Sequence, residues 1–369
     1  MKFYCDTQLL NSACQNIQRA VSTKTTMPAL EGILIKAIGD ELELTAYDLE
    51  VGIITRIPSR NIESGMIILN ARILCDIVRR IPADTVYFEC DNRLLATIRG
   101  GETEYSLVGM NGDDYPELPS VSGGFPVVMK SHVLKTMIRQ TAYAAAKNDV
   151  KVVHTGVKFE VAPGLITLVA VDGSRLAVRK EVTDYSGESL DFVVPVGTLK
   201  NVTALLSDDE EETVNLGVGK RHIIIEVGNY TVVSRLLDGE FLNYKNAIPA
   251  SFSAHAVVDV NDMIDCIERA STVITEKFKT PLRFIFDGNQ IRVSSVTANG
   301  TANDSIDCEY EGGRIEIGFN NALLLDALHA SGVDKIKIEL NGQNAPIIMQ
   351  GLDDDRFIFL ILPMRFKRD

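Results

Sequence analysis

Apolar residues along this chain switch between two spacings, and the switching pattern occurs three times over. Near the start, Leu9, Leu10, Ala13, Cys14, Ile17 and Val21 recur at the i, i+3, i+4 interval of a helix with one buried face. Val133, Leu134, Met137, Ile138, Ala142 and Ala145 repeat that interval, and Met263, Ile264, Ile267 and Ala270 do so again. After each predicted helix comes a pair of strand-like runs: 32–37 with 41–46, 156–161 with 165–171, and 282–286 with 290–296. Gly39-Asp40, Pro163-Gly164 and Asp287-Gly288-Asn289 separate the members of each pair, as expected of hairpin turns. The hairpins also end alike, in Ala46-Tyr47-Asp48, Ala170-Val171-Asp172-Gly173 and Thr297-Ala298-Asn299-Gly300.

A further strand then leads into a second short helix: 66–69 into 72–81, 192–195 into 198–206, and 314–319 into 322–330. Three more strand-like runs close each unit, as at 85–89, 94–99 and 105–108. The spacing of the units is roughly 120 to 125 residues, an internal period that marks a repeated fold. Because the strands come in short-looped runs rather than in βαβ alternation, the class is α+β with antiparallel sheets. Three repeated domains follow, at 1–120, 125–249 and 252–369, with linkers at 116–126 and 249–253.

Composition narrows the function. An apolar fraction of 46% over 369 residues supports several packed cores. No apolar run approaches the roughly 18 residues of a membrane span. Asp6 and Gln8 interrupt what would be the apolar core of a leader, so the expected location is cytoplasmic, with no membrane partner. Cys5, Cys14, Cys75, Cys90, Cys266 and Cys308 form no CxxC pair and read as small core residues. The five histidines form no HExxH, so neither a metal site, a cofactor nor a catalytic cluster is expected. Asp172-Gly173-Ser174-Arg175 lacks the Gly-x-Ser-x-Gly elbow of a serine nucleophile, and no phosphate loop is present.

A net charge of −13 argues against nucleic acid until the distribution is considered. No Asp or Glu occurs from Leu118 to Asn148, and within that stretch Lys135, Arg139 and Lys147 recur at multiples of four, with Tyr143 between them. On a continuous helix these form one slanting stripe. The first unit adds Arg19 and Lys24 near its first helix and Arg72, Arg79 and Arg80 on its second; the second unit adds Lys151 and Lys200. The acids gather between strands, in 208–212, Asp113-Asp114 and Asp353-Asp354-Asp355. Such segregation leaves room for electrostatic, sequence-independent contact with nucleic acid. The third unit departs from it: Asp262, Asp265 and Glu268 face Arg269 alone on its first helix, and Asp326 stands without a base on its second. Only Lys277 and Lys279 lie nearby, so the positive charge is expected to be lopsided, gathered on the first and second units.

An ordered set of segments carries a family resemblance from Met1 to Phe366. It comprises Met1-Lys2-Phe3, Met27-Pro28-Ala29-Leu30, Asp48-Leu49-Glu50, the run from Val171 through Asp172-Gly173-Ser174-Arg175 to Val178, and Leu237-Asp238-Gly239-Glu240-Phe241. Glu276-Lys277-Phe278, Ile317-Gly318-Phe319-Asn320 and Leu362-Pro363-Met364-Arg365-Phe366 complete it. The chain resembles the bacterial DNA sliding clamps, the beta subunits of DNA polymerase III. The resemblance implies a head-to-tail homodimer of three-domain chains, closed into a ring with sheets outside and helices lining the hole. It implies no catalysis and no cofactor. The partners it implies are DNA polymerase, an ATP-driven clamp loader and repair factors, docking by short peptide motifs.

By position in the family, the partner-peptide pocket falls on His154, Val171, Gly173, Ser174, Arg175, Leu176, Leu242, Ala247, Leu360, Leu362, Pro363 and Met364. Three of these depart from familiar members: Leu242 replaces Pro, Ser174 replaces His, and His154 replaces an aliphatic residue. The dimer interface falls on Tyr105 and Leu107 at one end of the chain and Thr272 and Val273 at the other. The alternative to a clamp is a repeat-built scaffold that binds proteins and never encircles DNA.

Overall fold

The computed structural model describes residues 1–22, 24–120, 126–274, 280–352 and 355–366. The first repeat runs β1 (Lys2–Asp6), α1 (Thr7–Ile17), β2 (Gly32–Ile38), β3 (Glu41–Tyr47), β4 (Val51–Pro58) and β5 (Arg60–Glu63). It continues with β6 (Gly65–Asn70), α2 (Ala71–Val78), β7 (Thr85–Cys90), β8 (Leu95–Gly100), β9 (Thr103–Val108) and β10 (Met110–Asn111). The second has β11 (Pro126–Lys130), α3 (Ser131–Ala142), β12 (Gly156–Ala162), β13 (Leu165–Val171), β14 (Arg175–Val182) and β15 (Leu190–Pro195). Then come α4 (Val196–Thr203), β16 (Thr213–Val218), β17 (His222–Val227) and β18 (Tyr230–Arg235). The third has β19 (Ala254–Asp259), α5 (Val260–Ser271), β20 (Leu282–Asp287), β21 (Gln290–Thr297), β22 (Gly300–Asp307) and β23 (Glu309–Glu311). It ends with β24 (Ile315–Phe319), α6 (Asn321–Ser331), β25 (Lys335–Leu340), β26 (Ile347–Gln350) and β27 (Phe357–Ile361). Three repeats, each with two helices and antiparallel sheets, are therefore present.

By internal contacts the chain divides into two compact units, residues 1–135 with 197–236, and residues 136–196 with 237–369. In the first unit a five-stranded sheet, β5-β1-β7-β8-β9, accompanies a nine-stranded one, β10-β6-β2-β3-β4-β18-β17-β16-β11. The second unit holds a nine-stranded sheet, β15-β12-β13-β14-β27-β26-β25-β19-β23, and a four-stranded one, β22-β21-β20-β24. Each nine-stranded sheet joins strands of two repeats, through β4 with β18 in one case and β14 with β27 in the other.

The hairpin turns fall where their residues require them. Ile38 pairs with Glu41, Ala162 with Leu165 and Asp287 with Gln290. The glycines between them, Gly39, Gly164 and Gly288, have φ of 56°, 79° and 60°, a left-handed region that side chains disfavour.

Helices α1, α2, α5 and α6 share a starting device. Asp6, Asn70, Asp259 and Asn320 each end the preceding region and accept a backbone N–H of the helix that follows. Each such cap is worth about 1 kcal/mol. Leu10, Ala13, Cys14 and Ile17 of α1, and Met263, Cys266, Ile267 and Ala270 of α5, are buried, as the periodicity requires. Cys5, Cys14, Cys75, Cys266 and Cys308 are buried free thiols and Cys90 is half-buried.

Two expectations need correction. The helix expected to reach Val21 stops at Ile17 and tightens into a 3-10 turn, and Leu9 lies exposed on its outer side. Likewise α3 ends at Ala142, so Tyr143 and Lys147 leave the helix and the stripe from Lys135 is not continuous. The periodic pattern ran on because Ala145, beyond the end of the helix, is buried as well.

Candidate functional site

The loop from β13 to β14, Asp172–Arg175, organises the site in the second unit. Asp172 Oδ1 accepts the backbone N–H groups of Ser174 at 3.0 Å and Arg175 at 3.1 Å. Gly173, with φ of 83°, makes the bend at no steric cost. The Ser174 carbonyl then accepts the N–H of Leu362 at 2.9 Å, and Met364 donates to the Gly318 carbonyl at 2.7 Å. The loop and the segment after β27 are thus hydrogen-bonded together.

Behind this rim, Leu176 pairs across the sheet with Leu360. Both belong to a buried cluster with Val169, Val171, Val178, Tyr244 and Ile348, against which Phe241 packs. Leu242 and Leu362, next in sequence to Phe241 and Ile361, are exposed. His154 meets Phe241 edge-on at 5.6 Å and its Nδ1 lies 3.0 Å from Asp149 Oδ2. The carboxylate only accepts, so Nδ1 carries the proton of that bond. Hydrogen bonds from the Lys151 backbone, then from His154, hold the Asp149 carboxyl below its usual range. Ala247 is exposed at the end of the 3-10 turn Tyr244–Ala247, and Pro363 is half-buried.

The structure thus gathers Val171, Gly173, Ser174, Leu176, Leu360 and Leu362 into one loop-and-strand joint, and ties His154 to it through Phe241. Phe241 and Tyr244 were not singled out by the site assignment, although Phe241 stands within a quoted segment. Tyr244 is held from below: its hydroxyl donates to Glu160 Oε2 at 2.8 Å, and Lys158 lies 3.0 Å from both Glu160 and Asp191. No local pattern announces a bond between residues 84 apart in sequence.

Arg175 is nearly buried, yet charged. Its Nε lies 2.9 Å from Asp172 Oδ2, its Nη1 lies 2.6 Å from Asp326 Oδ2, and its guanidinium sits 5.3 Å above the Tyr143 ring. Asp326, expected to project an unmatched negative charge from α6, is therefore neutralised in place.

Of the basic residues expected to face DNA, Lys24, Arg72, Arg139, Lys147, Lys151 and Lys200 are exposed. Arg79 and Arg80 are exposed too but pair with an acid, as does the half-buried Lys135. Arg79 and Arg80 share Asp76 at 2.5 and 3.2 Å, and Lys135 lies 2.7 Å from Asp208. Arg269, the sole base on α5, pairs with Asp304 at 2.6 Å. Lys277 and Lys279 lie outside the described residues, as do Asp353 and Asp354. On the first unit's large sheet, Glu41, Glu43, Glu226 and Arg56 help line a polar groove of about 640 Å³, with Arg56 paired to Glu43 at 2.9 Å.

At the ends of the sheets, β9 and β22 are edge strands within their units. Tyr105 and Leu107 are half-buried on β9. Val273 follows α5 beside the start of β22: its carbonyl accepts from Thr297 Oγ1 at 3.0 Å, and a Cβ placed on Gly300 would stand 3.9 Å from its Cγ1. Thr272 is exposed beside it.

Models of the DNA polymerase III beta subunit match nearly the whole chain: the N-terminal domain over residues 1–119, the central domain over 128–243 and the C-terminal domain over 245–365. The chain belongs to the DNA polymerase III beta subunit family. Among relatives, the beta sliding clamp of Staphylococcus aureus is 30% identical over 357 residues, covering 94% of each chain. The sliding clamp of Bacillus subtilis superposes with a TM-score of 0.96 at 29% identity, over the full length of both chains. A putative beta subunit from Eubacterium rectale gives 0.94 at 31% identity, over 99% of this chain and all of that one. The family's fold, the DNA clamp fold, and its role as the sliding clamp of DNA replication therefore apply to this chain.

Proposed function

We propose that this beta subunit works as a closed homodimeric ring that encircles double-stranded DNA without reading its sequence. It is a non-catalytic processivity factor acting in the cytoplasm, built of domains at 1–120, 125–249 and 252–369. DNA polymerase, clamp loader and repair factors dock by short peptide motifs on the joint around Leu176 and Leu360.

The observation that carries the ring is a repeated joint. In the first two repeats the third strand of the hairpin group, β4 or β14, pairs with the last strand of the next repeat, β18 or β27. The third repeat has an equivalent strand, β22, and the first has β9 in the place of β18 and β27; among the described residues each of these two is paired along one edge alone. An exposed edge invites pairing. A second copy supplies it head to tail, and two such joints close the ring. The hairpin pairs Tyr47 with Gly52, Val171 with Leu176 and Val296 with Thr301 occupy matching places. Carrying the internal register over sets Ala302 opposite Tyr105 and Gly300 opposite Leu107 of the second copy. Leu107 then lands against Val273, the neighbour of Gly300.

The test is retention on circular duplex DNA followed by linearisation. A ring stays on the closed circle and slides off when it is cut. A scaffold that binds only proteins shows no retention, and a simple DNA-binding protein shows no release.

A further inference from the structure

We infer that Asp326, on α6, is a positioning residue for the partner-docking joint: it fixes Arg175 and, through Arg175, the Asp172–Arg175 loop. The inference rests on the proposed docking role of that joint and adds to it a residue outside the pocket assignment.

The first repeat supplies an internal control. Its loop from β3 to β4 has the same backbone design, with Asp48 Oδ1 accepting from Glu50 at 2.9 Å and Val51 at 2.7 Å. Leu49, with φ of 77°, takes the place of Gly173. The Glu50 carbonyl accepts from Arg235 N–H at 2.9 Å, as Ser174 accepts from Leu362. Yet Val51 stands where the second repeat has Arg175. The turn and its strand-to-loop bond therefore form without any guanidinium. Arg175 with its two carboxylates is an addition at the joint proposed to take a partner.

Its chemistry explains why Asp326 matters. Arg175 is 8% exposed, and a guanidinium stays charged when buried. A buried charge must be compensated where it sits. Asp172 belongs to the loop itself and moves with it, so it cannot anchor the loop to anything else. Tyr143 offers a ring face, and it rests edge-on against Phe359 of β27 at 5.5 Å. Asp326 is the charged anchor outside the loop, 151 residues away along the chain. Its side chain is half exposed, so shortening it opens no core cavity. With both carboxylates on one guanidinium, Arg175 also has no net positive charge to offer an acidic peptide.

The test compares Asp326→Asn, which keeps the shape and loses the charge, with Asp326→Glu, which keeps the charge. Binding is measured with the organism's own DNA polymerase III catalytic subunit, labelled for fluorescence anisotropy, alongside Leu176→Ala as a pocket control. Asp326→Asn is expected to weaken affinity about tenfold, the scale of one charge-assisted bond to a buried partner. Asp326→Glu is expected to stay within about threefold of the parent. Melting temperature and ring retention on circular DNA report on merely structural loss, and both are expected to hold. Unchanged affinity in Asp326→Asn while Leu176→Ala binds weakly overturns the positioning role. Equal weakening in Asp326→Asn and Asp326→Glu overturns it too. If Leu176→Ala also binds normally, the docking assignment itself has failed.

Discussion

Replacing Leu107 by Asp places a carboxylate at the centre of the proposed joint between copies. In the isolated chain Leu107 is half-buried at a sheet edge, so the free chain tolerates the change. In the joint it faces Gly300 and packs on Val273. Losing that apolar burial costs about 1.5–3 kcal/mol, and enclosing an unpaired carboxylate costs several kcal/mol more. Even about half of that total leaves roughly 3–4 kcal/mol per joint. The ring has two joints, and both carry the substitution. A shift of about 4 kcal/mol alone raises a dissociation constant about a thousandfold, so the variant is expected to be monomeric at concentrations where the parent is dimeric. Sedimentation velocity across a dilution series measures this, with circular dichroism as the check on folding. Val273→Asp should act alike, and the double variant should fall short of the summed effects because the two side chains share one contact. A folded Leu107→Asp protein that remained dimeric at about ten nanomolar would refute both the register and the joint.

Changing Lys24, Arg72 and Arg139 together to Gln is expected to lower the salt slope of binding to short duplex DNA by up to about 3, at roughly 0.9 per phosphate contact. Lys135→Gln should change it less, since that ammonium already serves Asp208. An equal effect of Lys135→Gln in the same titration would contradict this. Acid sensitivity should trace in part to Glu160: burial pushes its carboxyl up, but Lys158 and the Tyr244 hydroxyl outweigh burial and hold it below its usual 4.5. A lowered folded-state value stabilises above the unfolded one, so the advantage over Glu160→Gln should be constant above about pH 5 and vanish as pH falls through and below 4.5. Urea titrations over that pH range measure it. Under native conditions at neutral pH, iodoacetamide should modify Cys90 first, because Cys5 and Cys266 are enclosed and burial pushes their thiols up to about 12. Mass mapping of the alkylated protein gives the order.

The fold was legible because its signals are local. Hairpin turns such as Gly39-Asp40 and Pro163-Gly164, and apolar faces such as Leu10 to Ile17, are written within a few residues of each other. The caps at Asp6, Asn70, Asp259 and Asn320 were equally readable and sharpen the helix starts that periodicity left loose. The site was legible less evenly. The loop residues from Asp172 to Leu176 and the closing segment from Leu362 stand in quoted motifs, whereas Tyr244 on Glu160 and Asp326 on Arg175 depend on strands and helices far apart in sequence. Charge was legible only in part for the same reason. A count of bases on α2 and α3 and of acids on α5 and α6 cannot tell which are already spent on each other, as Arg79 is on Asp76 and Asp326 is on Arg175.

One scaffold used twice with different side chains is what the proposal of a single docking joint per chain requires. At the first joint, Tyr47 lies in a buried cluster with Leu30, Ile68 and Tyr115, and its hydroxyl donates to the Leu49 carbonyl at 3.2 Å. Leu118 fills the space over Gly52, where a Cβ would stand 2.4 Å from Leu118 Cδ2. Aromatic rings and the chain's own linker thus occupy the ground beside that loop. At the second joint the smaller Val171 replaces Tyr47, Leu176 replaces Gly52, and Leu242 and Leu362 are left exposed. A backbone that repeats faithfully therefore does not repeat its chemistry. Exposed leucines beside a buried aliphatic cluster are a standing free-energy cost to a chain alone in water, and covering them with a partner's apolar side chain recovers it. At the first joint Leu118 has already done so from within.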